Sequence, residues 1–465
     1  MRLRSRTPHL SIAAVSLLAL VSGSRAQTLT SGAASKTETS GVGSKGETLA
    51  YGADVGVGET DNVTLVSTDK VSQTMAVADA DFDYKKISRR LDVDAKGNFT
   101  YLDYLQGAYG SQLLGRFDGI AHVAIIPERI VWVLQDDFGQ GALDPFTPVT
   151  PTNLENINYV STGPDLAWHF GANSYVNVSA RYARAQYSTS PFNSNRALGN
   201  VAWGLQLSAR SSVSLNADTE RVMFQNTVLN SDFDRNSGFA RYEVRGFRTD
   251  LSADLGATTI RQNAGSTTGG LAKVELSRKL SAAAKLTVSA GRELTDGSSS
   301  FSSLQGGAIG VVGTAPAAQT SNNYTSNYAS AGWSYQRNRT TISLSGRWEK
   351  DLYGRDPQFD YTRSGAEFRV ERRLTRALAA EVLGRYYKTD YVHGLAASQI
   401  GTSSFDEESV AAALTWRHGR GLEVKLRCEH SSRMTTGIYG YRENRAFLTV
   451  GYRPSTRRPE SDPGA

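Results

Sequence analysis

A single cysteine, Cys428, serves the whole chain of 465 residues, so no internal disulfide staples it. Long apolar runs are equally scarce. One mainly apolar stretch, from about Leu10 to Val21, is too short for a helical span, which needs about 20 apolar residues. Its flanks define it instead. Arg2, Arg4 and Arg6 precede it, and Ser24-Arg25-Ala26 places small residues three and one positions before a cut ahead of Gln27. That pattern is a secretory signal.

Charge of one sign is also missing. The formal net charge is +6, and removal of residues 1–26 takes four arginines and no acid, leaving +2. The mature chain is nearly balanced and has no basic stripe. Binding to nucleic acid therefore loses its compositional support.

Chemistry-bearing motifs are absent or broken. No G-x-S-x-G elbow and no H-E-x-x-H occurs. Gly41, Gly43 and Gly46 form G-x-G-x-x-G, but without the preceding strand and following helix that dinucleotide binding requires. Asp232, Asp234, Asn236 and Glu243 mimic a calcium loop, yet its sixth position is Ser237 rather than the glycine that the sharp turn needs. His393 with Asp390 nearby suggests a loop hydrolase, and nothing nominates a nucleophile. His169 and His418 sit beside short turns. His430 keeps register with an apolar face. No enzyme activity, cofactor or metal is expected. Only residues 27–46, small and polar, separate the signal from the first strand, which leaves no room for a folded plug or a passenger.

What the chain does have is two-faced strands. In Thr340–Tyr353, Ile342, Leu344, Gly346 and Trp348 oppose Thr341, Ser343, Ser345, Arg347, Glu349 and Asp351. Side chains alternate across a strand, so one face is greasy and the other polar. Strands are predicted at 47–58, 71–86, 91–105, 110–126, 130–140, 156–170, 174–187, 194–209, 212–227, 235–247, 249–262, 268–279, 283–294, 322–336, 340–354, 358–374, 377–391, 403–417, 422–435 and 440–453. Segments of this length are long for soluble strands and suit tilted membrane strands. Connections alternate short and long, as periplasmic turns and outer loops do. The low share of hydrophobic residues, 39%, fits a wall in which only alternate residues meet lipid. A soluble propeller or solenoid is the competing class, and no blade motif recurs at fixed spacing.

The fold class is therefore all-β: a transmembrane, antiparallel, up-and-down β-barrel of about 18–20 strands. Residues 1–26 are the signal, 27–46 a flexible periplasmic lead, 47–453 the barrel and 454–465 a disordered periplasmic tail. Trp348, Tyr386 and Tyr452 lie near strand ends, where girdle aromatics sit. Cys428 shares a face with Leu422, Val424 and Leu426, so it faces lipid. The opposite face supplies the lumen: Arg347, Glu349, Glu367, Arg369, Glu371, Glu381, Arg385, Glu423, Lys425 and Arg427. Mixed signs there satisfy one another across strands and stiffen the wall, or they bias the passage of polar solutes. The longest loop, 295–321, rich in Gly, Ser and Ala, is placed to constrict the lumen.

Two stretches carry a family resemblance. One is Y-G-A-D-V-G-V-G-E-T-D-N-V from Tyr51. The other is W-V-L-Q-D-D-F-G-Q from Trp132, followed by T-P-T-N-L-E-N-I-N-Y and Gly163-Pro164-Asp165. They resemble outer-membrane β-barrel proteins associated with exosortase (PEP-CTERM) and exopolysaccharide loci of Gram-negative bacteria. The resemblance implies a barrel linked with surface or secreted polysaccharide, and it supplies no catalytic residues. One departure concerns the final strand: Tyr452 is followed by a polar tail rather than closing the chain. The expected function is a porin-like conduit or export component in the outer membrane, both termini periplasmic. Its expected partners are outer-membrane lipid, the barrel-assembly machinery, and polysaccharide or small polar solutes. A structural barrel whose outer loops bind glycan is the alternative.

Overall fold

The computed structural model describes residues 46–263, 265–304, 322–392, 404–419, 421–435 and 439–454. The signal, nearly all of the lead, the tail beyond residue 454, His393 and residues 305–321 lie outside them.

Twenty strands follow in chain order: β1 (Gly46–Thr60), β2 (Gln73–Ile87), β3 (Leu91–Tyr104), β4 (Gln112–Ile126), β5 (Ile130–Ala142), β6 (Leu154–Phe170) and β7 (Ser174–Tyr187). Next come β8 (Ser194–Ser208), β9 (Ser211–Phe224), β10 (Phe233–Arg245), β11 (Thr249–Gln262), β12 (Gly265–Lys279), β13 (Ala284–Thr295) and β14 (Tyr324–Arg337). The ring ends with β15 (Thr340–Leu352), β16 (Tyr361–Arg373), β17 (Leu378–Tyr391), β18 (Ser404–His418), β19 (Leu422–Thr435) and β20 (Tyr441–Tyr452). Each strand pairs antiparallel with the next, and β1 pairs with β20. The chain is a closed 20-stranded antiparallel barrel. The ring closes through the β1–β20 ladder, which joins Ala53–Thr60 to Tyr452–Arg445 and leaves residues 46–52 paired only with β2; Gly265–Leu271 of β12 likewise pair only with β11. Gly56 allows the close approach at this seam, since a Cβ there would lie 2.1 Å from Leu448 O.

Every predicted strand is present, and the small boundary differences have local causes. β16 begins at Tyr361 rather than 358 because Pro357–Phe359 forms a 3-10 turn, where the proline lacks an N–H for the ladder. The chain turns tightly at one rim, as between β14 and β15 or β8 and β9, and by longer loops at the other. We term these the turn rim and the loop rim.

The alternation written in the sequence becomes outside and inside. Trp203, Leu215, Leu255, Trp348, Leu414 and Leu426 are exposed large hydrophobics on the outer face. Along β8 the outward positions run Leu207, Leu205, Trp203, Val201, Gly199 and Ala197 before Asn195. Ten residues at ~3.3 Å each, tilted ~40°, give a band ~25 Å tall, the height of a bilayer core. Cys428 is exposed beside Leu426, on the outward parity. Trp132, Trp168, Trp203 and Trp416 are exposed in the turn-rim halves of their strands, and Trp348 toward the loop rim.

Two parts of the second resemblance stretch meet in space. Trp132 of β5 is the register partner of Pro164 in β6, and its Nε1 donates to Thr162 Oγ1 at 2.8 Å. The β6–β7 ladder breaks at Gly163-Pro164, since proline offers no N–H. Arg181 fills the gap by donating to Pro164 O (2.9 Å) and to Asp165 (2.7 Å).

Candidate conduit and its infolded loops

Inward side chains of the middle strands enclose a central cavity of about 1830 Å³. At the turn rim it reaches Arg245, Gly246, Lys285 and Ser334. At its other end it meets Ser299, Ser300, Phe301 and Ser302. Its lining holds ten arginines or lysines and ten aspartates or glutamates, so it carries no net sign. Neighbours neutralise one another: Arg241–Asp254 (2.6 Å), Lys273–Glu293 (2.6 Å), Arg181–Asp165 (2.7 Å) and Arg347–Glu349 (2.9 Å). One sector is hydroxylic, with Thr287, Ser289, Ser330, Ser343 and Ser345 facing the space.

Of the ten residues expected at the lumen, Arg347, Glu349, Glu367 and Arg369 line this cavity, and Tyr387 joins them by donating to Glu367 (2.7 Å). Glu371, Glu381, Arg385, Glu423, Lys425 and Arg427 are not brought to it. They share the corresponding parity on β16, β17 and β19. There Glu371 stands opposite Glu381, a like-charge pair relieved by Arg369, which reaches Glu381 at 2.9 Å. Arg385 stands opposite Glu367 in the same ladder. Glu423 pairs with Arg417 (3.1 Å), and Arg427 with Glu429 (3.0 Å).

The cavity ends on a helix that sequence reading did not find. Residues Gly297–Leu304 form α1 in the connection after β13, a stretch expected to be irregular. Its glycine and serines are indifferent helix formers. Local capping and tertiary packing hold it. Asp296 precedes the helix, accepts from Ser299 Oγ at 2.6 Å, and its carbonyl receives the Ser300 N–H at 3.0 Å. Phe301 is buried against Ile157, Tyr159, Ala183, Ala185 and Tyr187 of β6 and β7. The segment therefore runs through the interior from β13 to β6 and β7.

A buried knot of four charges anchors it. Arg196 of β8 is fully buried. It donates to Asp296 at 2.6 Å and to Glu220 of β9 at 3.0 Å. Arg235 of β10 donates to Asp296 at 3.1 Å and also bonds Glu220. Two guanidiniums face two carboxylates, so the knot is neutral, and Ser299 donors and acceptors complete it. Burial alone would raise the Asp296 carboxyl; the Arg196 and Arg235 guanidiniums outweigh it and hold the group well below the usual carboxylate range.

A second connection also folds across the opening. The segment between β5 and β6 carries Phe146 to the far side of the ring, against Tyr391 (ring centroids 4.6 Å) and Phe359 (5.7 Å). Arg433 of β19 donates to Phe146 O at 2.7 Å and stacks on Phe405 with its guanidinium 3.6 Å from the ring centroid. Asn153 braces the segment through Asp144 O (2.9 Å), Thr147 Oγ1 (2.9 Å) and Pro148 O (3.1 Å). Two infolded segments thus narrow the loop rim.

The calcium-like residues do not converge. Asp232 caps the Phe224 N–H at 2.8 Å, Asp234 pairs with Arg221 at 3.7 Å, and Asn236 accepts from Thr219 at 2.8 Å. Among the described residues no group of three His, Cys, Asp or Glu side chains is placed to hold a metal ion.

No family model matches the sequence, and no curated protein matches it. The resemblance to exosortase-associated barrels therefore rests on its own short motifs. Solved structures do align. The FrpB iron transporter from Neisseria meningitidis shares 11% identity at a TM-score of 0.42, over 87% of this chain and 81% of that one. The siderophore receptor PirA from Pseudomonas aeruginosa shares 11% at 0.41, over 87% and 80%. OccK11 from the same organism shares 10% at 0.33, over 88% and 96%. The assignment as a barrel rests on the chain's own strand pairing.

Proposed function

We propose that the protein is an outer-membrane conduit of porin type, restricted at its loop rim by infolded segments. The observation that supports it most is α1: a charge-anchored helix set across a polar, neutral cavity that runs to the turn rim. A wall with an apolar outer band and a polar interior suits lipid outside and water within. On this reading the turn rim and both termini are periplasmic, and the loop rim faces out. The solutes are small and polar, and the balanced lining disfavours strong selection by charge. The exopolysaccharide link implied by the sequence motifs makes an export-associated role the finer version of the same proposal.

Planar-bilayer recording on purified, folded protein tests it. Discrete ionic steps are expected, and their absence in protein shown to be folded would overturn the open-conduit reading. A structural barrel with glycan-binding loops would instead give no conductance together with glycan retention that depends on the outer loops.

A further inference from the structure

The outer face near the loop rim is not uniform. On β7 to β15 its outward positions carry Arg184, Arg221, Arg261, Arg292 and Lys350. For three of them the inward neighbours are identified by their packing: Ala183 and Ala185 flank Arg184, Glu220 and Val222 flank Arg221, and Ile260 precedes Arg261 inside the barrel. Against these five cations, the same sector of the outer face has one acid among the described residues, Asp234. It is the register partner of both Arg221 and Arg261, and lies 3.7 Å from Arg221.

These cations sit at a particular height. Tyr182 and Trp348, both exposed, lie two residues toward the apolar band from Arg184 and Lys350. Amphipathic aromatics mark the level where hydrocarbon gives way to headgroups. The cations therefore stand at headgroup level on the loop-rim side. Arg292 is braced there by Asn327 (3.3 Å), whose own side chain donates to Lys350 O (3.3 Å). Arg221 and Arg261 are two strands apart, about 10 Å at the usual strand spacing, with a single carboxylate between two guanidiniums.

We propose that this sector of β7–β15 binds the phosphates of an anionic glycolipid in the leaflet around the loop rim. Arginine forks fit phosphate oxygens in bidentate fashion, and a partner bearing several phosphates on a sugar headgroup matches several cations spread along one rim. The inference rests on the outer-membrane reading, in which the loop-rim leaflet is the one that carries such glycolipid. Asp234 weakens the site by competing for its two arginines.

The test uses the folded full-length protein and phosphatidylcholine vesicles doped with bisphosphorylated lipid A, its dephosphorylated form, or phosphatidylglycerol. Wild type is expected to prefer the bisphosphorylated lipid. Each removal among Arg184→Gln, Arg221→Gln, Arg261→Gln and Arg292→Gln should weaken it by about fivefold. The four Arg→Lys changes together should keep a charge-driven part of the binding but fall short of wild type, since an ammonium lacks the bidentate fork, and Asp234→Asn should tighten it. Equal binding of the dephosphorylated lipid, or an unchanged quadruple glutamine variant, overturns the proposal. Equal binding of phosphatidylglycerol overturns the glycolipid assignment. Bilayer conductance of the quadruple variant separates the two readings: lost lipid preference with conductance intact supports this proposal, and absent wild-type conductance speaks against the conduit alone.

Discussion

Arg196 and Asp296 stand 100 positions apart in the chain and meet at 2.6 Å inside the barrel. Their contact anchors α1 at the loop-rim end of the cavity. Arg196 sits on the rigid wall, while Asp296 begins the segment that crosses the interior.

Asp296→Asn should therefore loosen the helix. It leaves Arg196 and Arg235 facing Glu220 alone, an uncompensated buried charge that costs about 3–5 kcal/mol. Larger and noisier single-channel conductance is expected in planar bilayers, with the barrel's strand signature by circular dichroism unchanged.

The same pair predicts insensitivity to mild acid. The folded-state pKa of Asp296 is depressed, so its stabilising contribution is present above the ordinary carboxylate range and is lost only as pH falls through the lower folded value. Conductance limited by α1 should stay level from neutral pH down through about 4, and rise only at lower pH as Asp296 is protonated. A pH series of single-channel records checks this. A rise centred near neutrality would contradict it.

Phe146→Ala should free the β5–β6 segment. Its ring and carbonyl both contact the opposite wall, through Tyr391 and Arg433, and truncating a buried phenylalanine costs about 3–5 kcal/mol. Limited proteolysis should then cut within 143–153 in the variant and spare the wild type. Arg433→Gln should produce the same cut through loss of the carbonyl contact.

Sidedness can be read with one chemistry. Cys428 should resist a membrane-impermeant maleimide in liposomes, and a probe on it should be quenched by brominated lipid. In a Cys428→Ser background, Glu349→Cys should react with the aqueous reagent instead. The reverse pattern would show the two faces exchanged.

Ten cations against ten anions predict weak selectivity. In a potassium chloride gradient the reversal potential should lie near zero. Lys273→Gln should move it toward cation preference, since it leaves Glu293 without its 2.6 Å partner.

Much of this architecture was legible beforehand, because period-2 alternation in strands such as Thr340–Leu352 is decided by neighbours in sequence. The faces of Arg347, Glu349 and Trp348 follow from parity. The barrel mouth was not legible for the opposite reason. Arg196, Glu220, Arg235 and Asp296 lie on four different elements, and no local pattern relates them. A faint signal existed: three inward charges near the loop-rim ends of adjacent strands, with an acid opening the longest connection. Helix α1 was hidden further, since Gly-Ser-Ser-Ser-Phe has low intrinsic propensity and Phe301 holds it by packing across the interior. Phe146 gave no sign at all, because its partners lie on β17 and in the β15–β16 connection.

The seam has a consequence in time. Nineteen ladders join strands that are consecutive in sequence, so each can form as a hairpin soon after its two strands are available. The twentieth joins Ala53–Thr60 to Arg445–Tyr452 across nearly the whole chain, and it can form only after the rest of the wall is in place. Until that moment β1 and β20 both present free edges, and afterwards residues 46–52 of β1 still lack a β20 partner. The topology therefore favours hairpins first and the ring last, with the β1–β20 ladder closing the wall.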